Sequence, residues 1–368
     1  MATGVEQKMS ITVRNIMGRR LDFPNGYLRR HIELERHMRQ YTIKQCIDIN
    51  FLYDYYEQPK SKLNHFIKRV IKYPLHLRKT DKDVLNYIIV QHLSDLALIL
   101  KSDDFIICCH DIWNFLDETG YQNSSIVNKY RLKGMKKCNN LIAISEFTKN
   151  EMIEKLGLDE DKITVIRNGV NRNVFYPIKN IKNWKDFWSK IFHLGEKNIL
   201  YVGTESGRKD FPTLLKAFNI IKEMDKNIKI VRVGKPEFEK EIKDLGLEND
   251  IIYLSNIQNN VLNILYNVCD VFVFPSLYEG YGLPAMEANS AGCPLICSDI
   301  PVFRELYDKS ALFFEPQNYK MLSHMILDVL CSEPIQTFSK KQGIKNSEEN
   351  KWEKFSKQFY NYIKEVSE

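Results

Sequence analysis

Short apolar runs rich in isoleucine, valine and phenylalanine recur along the chain, separated by amphipathic stretches long enough to form helices. Unbroken apolar runs of this kind are typical of strands buried on both faces of a sheet. Their alternation with helices predicts parallel sheets covered by helices on both sides. The runs fall into two groups of six: residues 11–16, 46–52, 85–90, 105–109, 141–145 and 163–166, then residues 199–202, 228–233, 251–254, 271–274, 295–297 and 312–314.

The two groups predict an α/β protein made of two Rossmann-like, doubly wound domains in series. A polar and aromatic stretch separates the groups, and it places the break between Pro177 and Lys197. We therefore assign residues 1–180 to an N-terminal domain and residues 181–345 to a C-terminal domain.

The end of the chain predicts a helix that no strand follows. Its apolar residues recur at spacings of three and four, which gives a helix with one apolar face. These residues are Trp352, Phe355, Phe359, Tyr360 and Ile363. We expect residues 346–368 to cross back to the N-terminal domain.

Composition and charge narrow the classes of function. Of the 368 residues, 44% are hydrophobic and 27% charged, as in ordinary folded proteins, which excludes a disordered chain. The 53 basic and 47 acidic side chains leave a net charge of +6. That excess suits an anionic ligand or membrane surface but is too small for a nucleic-acid-binding protein.

The eight cysteines predict a reducing compartment, because they form no CxxC pair and most lie in apolar runs typical of buried thiols. The chain has no apolar signal sequence at its start and no uninterrupted run of about 18 apolar residues. We therefore expect a cytoplasmic protein without a membrane span.

The most informative stretch is residues 274–288, FPSLYEGYGLPAMEA. A strand is followed by a glycine-rich turn, and Pro284 stands where proline is tolerated in the first turn of a helix. N–H groups at such a helix start can bind an anion or a hydroxyl group. Gly280 and Gly282 let a ligand approach the backbone closely. The stretch therefore predicts a ligand site.

Two glutamates border this turn: Glu279 precedes it and Glu287 lies in the helix, so the two can flank one ligand. The turn also fits the dinucleotide-binding pattern G-x-G-x-x-A from Gly280, with Asp299 as the acidic ribose partner. In that pattern the first glycine directly follows the strand, whereas four residues intervene here. A nicotinamide or flavin site, and a turn without any ligand, remain alternatives.

Arg208 and Lys209 form a second candidate site, in a loop between an apolar strand and an amphipathic helix. The planar arginine fork and the compact lysine charge together suit a pyrophosphate. The alternative is a solvated loop with two ordinary surface charges. The loop is not a P-loop, since GxxxxGK[ST] is absent.

His110 and Asp111 follow the apolar run 105–109, at the strand end where ligands bind in open α/β sheets. His110 is a functional candidate or a structural histidine, and Asp111 can orient its ring or cap the next turn. Ser145, at a helix start, and Asn168, in an Asn-Gly turn, are explained on spacing alone as structural residues.

Taken together and in order, these segments resemble the retaining glycosyltransferases of family 4, or group 1, which have the two-Rossmann-domain GT-B fold. Glu279 and Glu287 are similar to the family's E-x7-E motif, and Arg208-Lys209 to its pyrophosphate-binding pair. The segments around His110, Ser145 and Asn168 also match. The resemblance covers about residues 84 to 330, and it implies two domains that face each other across a cleft.

The resemblance also implies roles for individual residues. The catalytic set is His110, Arg208, Lys209 and Glu279. The donor-binding set is Gly203, Ile257, Gly280, Tyr281, Gly282, Leu283 and Glu287, with Glu287 on the ribose and Ile257 near the base. A further set, on the acceptor side or between the domains, is Gly18, Gly26, Asp111, Ser145 and Asn168. Gly18 and Gly26 are widely separated where the family commonly has paired glycines, and Asn171 stands where aspartate is usual.

The implied reaction moves a sugar from a nucleotide-diphosphate donor to a glycan or lipid-linked acceptor with retention at the anomeric carbon. The sequence LYEGYG around Glu279 resembles that of mannosyltransferases in the family and favours GDP-mannose as the donor. No cofactor and no metal are expected, and Asp159-Glu160-Asp161 is interpreted as a solvated turn. A sugar-nucleotide epimerase or phosphorylase on the same scaffold, and a catalytically silent nucleotide-binding member, are the alternatives.

A basic amphipathic segment runs from Lys60 to Lys82. It could rest on anionic lipid and present the active site to a lipid-linked acceptor, as a peripheral protein of the inner membrane face. The alternative is a solvated helix and linker.

Overall fold

The computed structural model describes residues 10–19, 26–44, 48–56, 72–77, 84–100, 105–116, 125–203, 207–236 and 238–367. The chain forms two compact units. The first unit comprises Met1–Asn168 and Trp352–Glu368, and the second comprises Gly169–Lys351.

The first unit contains a parallel sheet of six strands in the order β2-β1-β3-β4-β5-β6. The strands are β1 (Ser10–Arg19), β2 (Asp48–Tyr56), β3 (Leu85–Ile88), β4 (Phe105–Cys109), β5 (Asn140–Ala143) and β6 (Ile163–Val165). The helices are α1 (Gly26–Lys44), α2 (Tyr73–Leu77), α3 (Ile126–Lys137), α4 (Glu146–Glu154) and, at the end of the chain, α13 (Trp352–Ser367). Short 3-10 helices span Gln91–Leu98, Trp113–Phe115 and Glu160–Lys162.

The second unit contains a parallel sheet in the order β12-β11-β10-β7-β8-β9. The strands are β7 (Lys197–Val202), β8 (Ile228–Val233), β9 (Ile251–Leu254), β10 (Val271–Phe274), β11 (Leu295–Ser298) and β12 (Leu312–Phe314). The helices are α5 (Lys182–Phe192), α6 (Phe211–Met224), α7 (Glu239–Asp244), α8 (Asn259–Val268), α9 (Leu283–Ala291), α10 (Pro301–Tyr307), α11 (Tyr319–Cys331) and α12 (Glu333–Glu349).

The predicted α/β class and both predicted sheets are confirmed. Each apolar run contributes a strand, and the central strands are buried on both faces: every residue of β4 and of β10 is fully buried. The predicted ends differ where a neighbouring element intervenes. The run 141–145 stops being a strand at Ala143, because Ser145 begins α4.

The strand order of the second unit reads 3-2-1-4-5-6 from β9 to β12, the classic doubly wound order. The winding reverses between β7 and β10, because successive strands are added outward on opposite sides of this pair. In the first unit the reversal lies between β1 and β3. Loops diverge beyond the carboxyl ends of strands at such a point and leave a crevice for a ligand.

The division of the chain falls earlier than the predicted boundary at residues 180/181. Residues 169–180 join the second unit because their backbone bonds to it. The Tyr176 N–H donates to Asn263 Oδ1 at 3.1 Å, and the Ile178 N–H donates to Asn267 Oδ1 at 2.7 Å. The second unit also reaches past residue 345, to the end of α12 and Lys351.

The last helix, α13, packs within the first unit. The Phe359 ring lies 5.1 Å from the Tyr87 ring of β3, centroid to centroid, and Ser356 Oγ donates to the Leu34 carbonyl of α1 at 3.5 Å. Its apolar face, at spacings of three and four, is buried: Trp352, Phe355, Phe359 and Ile363.

In the part of the chain that the structure describes, no helix combines the length and the apolar character that crossing a bilayer requires. Of the basic segment from Lys60 to Lys82, only residues 72–77 are among the described residues, so most of the predicted membrane surface lies outside them.

Candidate functional site

Two of the sequence motifs meet at the carboxyl ends of β7 and β10. These strands are neighbours, with Val271 paired to Ile199, and they flank the reversal of winding. The loops that follow them are joined by a hydrogen bond from the Leu277 N–H to the Arg208 carbonyl, at 2.7 Å. The loop that carries Arg208 and Lys209 and the glycine-rich turn therefore form one site.

The centre of this site is an ion pair between Lys209 Nζ and Glu279 Oε1. Both side chains are largely buried, with 14% and 8% of their surface exposed. Ser276 Oγ donates to the same carboxylate oxygen at 3.0 Å, and Lys209 Nζ lies 5.3 Å from the centroid of the Phe274 ring. Because little water surrounds the pair, its charges are screened less and attract each other more strongly than at an open surface.

Lys209 is placed by the short turn between β7 and α6. Residues Gly207–Lys209 form one 3-10 turn, and the Tyr201 hydroxyl of β7 donates to the Lys209 carbonyl at 3.4 Å. Asp210 then takes a left-handed conformation, with φ of 45°, at the start of α6. Burial raises the pKa of the Asp210 carboxyl above its ordinary value.

Gly282 shapes the turn on the other side of the site. Its φ of 87° is a conformation that side chains rarely adopt, and a Cβ there would lie 2.9 Å from Phe303 and 3.1 Å from Phe274. The Tyr307 hydroxyl lies 2.8 Å from the Gly282 carbonyl and 3.3 Å from that of Tyr281, with its hydrogen directed to these acceptors. Burial raises the pKa of Tyr307, so this phenol stays a donor.

Helix α9 begins directly after this turn, at Leu283, with Pro284 in its first turn as the sequence predicts. The first N–H groups of a helix have no carbonyl partner within it, and the helix dipole adds partial positive charge. Glu287 lies one turn into α9 and is 3% exposed. The Tyr266 hydroxyl donates to Glu287 Oε2 at 3.4 Å, which holds the carboxylate in place.

Gly203 directly follows β7, and Ile257 lies in the loop after β9 of the same sheet. The Gly203 N–H donates to the Val233 carbonyl at 3.1 Å, and the backbone at Gly234 packs so closely that a Cβ there would lie 2.4 Å from the Gly203 carbonyl oxygen. Ile257, after β9, is partly exposed. Gly234 therefore lets the loops after β7 and β8 pack closely against each other.

His110 follows β4 in the first unit and is held by two neighbours. Its backbone N–H donates to Gln91 Oε1 at 3.1 Å, and its ring nitrogen Nε2 lies 3.0 Å from the Ile89 carbonyl oxygen. Burial, with a smaller contribution from the positive charge of Arg30, lowers the pKa of His110 to about 3. The imidazole is therefore neutral at physiological pH, and Nε2 carries the proton that it donates to Ile89.

Asp111 belongs to the same turn. The Gln91 side-chain amide donates to the Asp111 carbonyl at 2.7 Å, and the Trp113 N–H donates to Asp111 Oδ1 at 3.2 Å. The carboxylate thus caps the short helix Trp113–Phe115, while Gln91 braces the backbone on both sides of it. Of the two interpretations made from the sequence, this contact fits the capping one.

Two family models match the chain. The model described as "Glycosyltransferase Family 4" covers residues 48–174, and the model described as "Glycosyl transferases group 1" covers residues 182–348. Together they match most of both units in the order that the motifs have.

The chain belongs to the group 1, or family 4, glycosyltransferases.

Relatives of this glycosyltransferase include the O-antigen chain mannosyltransferase RfbU of Salmonella typhimurium, which is 28% identical over 61% of this chain and 60% of the relative. The chain spans about 60% of the length of the first curated relatives it matches. The likeness therefore extends over much, but not all, of both proteins.

Solved structures share the fold at low sequence identity. Sucrose-phosphate synthase from Thermosynechococcus elongatus has a TM-score of 0.77 and is 16% identical, over 97% of this chain and 99% of that one. HepE of Anabaena, solved in complex with UDP-glucose, has a TM-score of 0.75 and is 15% identical, over 96% and 100% of the two chains. The glycosyltransferase therefore has the GT-B fold.

The remaining candidates of this glycosyltransferase lie in the first unit. Ser145 is the N-cap of α4, where its Oγ accepts from the Thr148 N–H at 3.0 Å. Asn168 Oδ1 accepts from Arg30 Nε at 2.6 Å. Gly18 lies in β1 and Gly26 is the first residue of α1, with most of the connection between them outside the described residues.

Sequence reasoning missed Arg30, which lies on α1 and is 1% exposed. Besides Asn168, its guanidinium donates to the Tyr87 hydroxyl at 2.9 Å and to the Ile166 carbonyl at 3.3 Å. It ties α1 to β3 and to the end of β6, and its charge contributes to the low pKa of His110. An arginine among the many charged residues of α1 gives no local signal of this burial.

The acidic residues considered for a metal site or a dinucleotide site bind to neighbours a few positions away in the chain. Asp159 Oδ1 accepts from the Asp161 N–H at 3.2 Å in an exposed turn. Asp299, the acid of the dinucleotide pattern, is held by both arms of Arg304, at 2.6 and 2.7 Å. Within the described ranges, no three His, Cys, Asp or Glu side chains converge as they would around a metal ion.

Proposed function

We propose that this glycosyltransferase moves a sugar, with retention at the anomeric carbon, from a nucleotide-diphosphate sugar to a glycan or lipid-linked acceptor. The observation that carries the proposal is the Lys209–Glu279 ion pair, which lies where the winding of the second sheet reverses and close to the first turn of α9. This position is where open α/β sheets bind nucleotides.

Departure of the nucleoside diphosphate is the difficult step of such a transfer. Negative charge grows on the leaving phosphates while positive charge grows on the sugar, so cations fixed near the phosphates lower the barrier. Arg208 and Lys209 lie in one turn at the strand end, and the start of α9 adds partial positive charge. These groups would receive the diphosphate, with Lys209 shared between Glu279 and a phosphate oxygen.

The two glutamates have different proposed tasks. Glu287, buried and held by Tyr266, binds the ribose hydroxyls. Glu279 and the backbone of the turn from Gly280 to Leu283 bind the sugar. Lys209 and Ser276 both bind Oε1 of the Glu279 carboxylate, and these contacts make the carboxylate a poor nucleophile. We therefore propose retention without a covalent sugar–enzyme intermediate, with the leaving phosphate accepting the proton of the acceptor.

Arg208 and Lys209 supply positive charge that a metal ion supplies in other transferases, so we propose a reaction without a metal or other cofactor. His110 contacts the sugar as a neutral imidazole in this proposal, consistent with its low pKa.

The donor sugar is proposed as mannose and the donor as GDP-mannose. The sequence relatives support mannose, since RfbU of Salmonella typhimurium and a second relative from Escherichia coli are named as O-antigen chain mannosyltransferases. The complex of HepE with UDP-glucose supports the wider class of nucleotide-sugar donors. A lipid-linked acceptor at the cytoplasmic membrane face is part of the same proposal.

The proposal is tested by incubating the purified chain and a water-soluble glycan acceptor with GDP-mannose, UDP-glucose or ADP-glucose, with and without EDTA. We expect nucleoside diphosphate release from one donor, unchanged by EDTA, and an α-linked product by NMR from that α-linked donor. A β-linked product would contradict retention. Epimerised sugar nucleotide without diphosphate release would identify an epimerase, and binding without turnover a silent member.

A further inference from the structure

Helix α5 (Lys182–Phe192) leaves a row of large apolar side chains exposed to solvent. Trp184 is 53% exposed, Phe187 49% and Ile191 53%. Their spacings of three and four place them on one side of the helix. We call these three residues the α5 stripe.

The α5 stripe is continuous with a set of stacked rings. Trp184 and Phe187 pack edge to face with centroids 6.2 Å apart, and Phe187 packs on Trp188 at 5.0 Å. Trp188 stacks on Phe192 at 5.5 Å, and both of these rings are partly buried. Trp188 and Phe192 thus form the partly buried half of the apolar face, while the α5 stripe faces water.

An ion pair ties the helix to the rest of its unit, and the helix has a defined end. Lys185 Nζ bonds to Asp270 Oδ1 at 3.0 Å, and His193, with φ of 56°, ends the helix in a left-handed conformation. Exposure of the α5 stripe is therefore a property of a fixed helix. Contiguous exposed apolar patches with a polar rim mark sites of interaction with proteins or membranes.

The charge of the segment indicates the kind of partner. Residues 178–192 contain four lysines and one aspartate, a net charge of +3. Lys179 and Lys190 are exposed, and Lys190 directly precedes Ile191 of the α5 stripe. Tryptophan and phenylalanine between lysines match the boundary of a membrane, where rings enter the acyl region and ammonium groups reach the anionic headgroups.

We propose that α5 docks this protein on an anionic lipid surface, with Trp184, Phe187 and Ile191 inserted at the headgroup boundary and the exposed Lys179 and Lys190 on the lipid phosphates. The contact does not depend on the transfer reaction, since the α5 stripe contains none of the residues proposed for the donor. In the sequence, α5 does not overlap with the segment from Lys60 to Lys82.

The full chain is tested by co-sedimentation with vesicles of phosphatidylcholine alone or rich in phosphatidylglycerol. We expect binding to the anionic vesicles, weakened by salt. The triple variant Trp184→Gln, Phe187→Gln, Ile191→Gln should bind at least about tenfold more weakly, since most of the inserted apolar area is lost. The matched control is Phe338→Gln on α12, a ring that is 62% exposed outside the α5 stripe and should change nothing.

Three further results decide between lipid and other partners. Quenching of tryptophan fluorescence by brominated lipid in the wild type, lost in Trp184→Phe, would support insertion of this ring. Equal binding of wild type and triple variant would overturn the proposal, as would loss of binding only when Lys68 and Arg69 are changed to glutamate. If the wild type were a dimer that did not bind lipid, and the triple variant were a monomer, the α5 stripe would be an interface with a second copy of this chain instead.

Activity toward a water-soluble acceptor separates this proposal from the transfer reaction. The triple variant should retain the wild-type rate with that acceptor in the absence of vesicles. A chain that transfers no sugar but binds vesicles through the α5 stripe would refute the proposed reaction and leave the docking surface standing.

Discussion

Lys209 and Glu279 form an ion pair although 70 positions separate them in the chain. Lys209 ends the turn after β7, and Glu279 lies in the turn after β10. They meet because these two strands are neighbours in the sheet, and Ser276 and Phe274 complete the surroundings of the pair. The Lys209 ammonium therefore lies near the start of α9, and the Glu279 carboxylate balances its charge.

The first prediction concerns this lysine. Lys209→Met removes the charge and keeps the aliphatic stem, so we expect kcat/KM for the donor to fall by about 10²–10³-fold, as for other fixed groups that stabilise transition-state charge. Initial rates of nucleoside diphosphate release measure the effect.

Lys216→Met is the matched control, because Lys216 is exposed on α6 and its ammonium group lies over the Tyr319 ring of α11, 6.0 Å from the ring centroid. It should leave the rate unchanged. Equal rates for Lys209→Met and wild type, with both chains folded, would show that the ion pair has no part in the reaction.

The second prediction concerns Gly282. Gly282→Ala places a Cβ at positive φ, at a cost of about 1–2 kcal/mol. The new atom also lies 2.9 Å from Phe303, and overpacking of this kind adds about 1–3 kcal/mol. Guanidinium denaturation should therefore show a lower free energy of unfolding.

Gly246→Ala separates the two contributions. Gly246 also has a positive φ, of 67°, but a Cβ there meets no atom within 4 Å. This variant should lose only the backbone cost. If the two variants were equally stable, the close packing of Phe303 and Phe274 around Gly282 would have no energetic weight.

The third prediction concerns pH. Burial, with a smaller effect of the Arg30 charge, lowers the pKa of both His31 and His110 from 6.5 to about 3. Above pH 6.5 neither state binds these protons and their effect on stability is constant. Between pH 6.5 and 3 the unfolded chain binds protons that the folded chain excludes, so the free energy of unfolding falls as the pH falls, by up to about 1.4 kcal/mol per pH unit for each histidine.

Urea denaturation at several pH values measures this slope. His31→Gln and His110→Gln should each reduce the slope below pH 6 by about one bound proton. A slope that neither variant changes would mean that these histidines accept protons in the folded state. A neutral His110 also predicts that it adds no ionisation near pH 6.5 to the activity profile.

The fourth prediction concerns thiol reactivity. Among the described cysteines, Cys331 is exposed and the others are buried: Cys108, Cys109, Cys138, Cys269, Cys293 and Cys297. Burial raises the pKa of Cys138 and of Cys293 to about 12, which leaves almost no thiolate at pH 8. Brief treatment of the folded chain with iodoacetamide should therefore modify Cys331 before these six.

Peptide mass spectrometry before and after denaturation measures the order of modification, and Cys331→Ser provides the control. Rapid native-state labelling of Cys293 or Cys297 would show that the second sheet opens around β11. Cys46 lies outside the described residues, so its labelling is recorded separately.

Most of the fold could be predicted because its signals are local. The run 105–109 predicts β4 and the run 271–274 predicts β10 with their observed bounds, since a strand buried on both faces must be apolar throughout. β2 extends to Tyr56 beyond its predicted end at residue 52, because an edge strand needs no continuous burial and Leu52 and Tyr53 are exposed. Resemblance to a family supplied the candidate donor residues.

The chain's own sequence thus determined the twelve strands of the described residues, the glycine-rich turn and the charged residues available for a diphosphate. Only the tertiary structure decided which strands are neighbours, that Lys209 meets Glu279, that Arg30 is buried against Tyr87, and which side of α5 faces water. The reason is physical: apolar periodicity is set by residues a few positions apart, whereas pairing, burial of a charge and exposure of a helix face depend on elements brought together from distant parts of the chain.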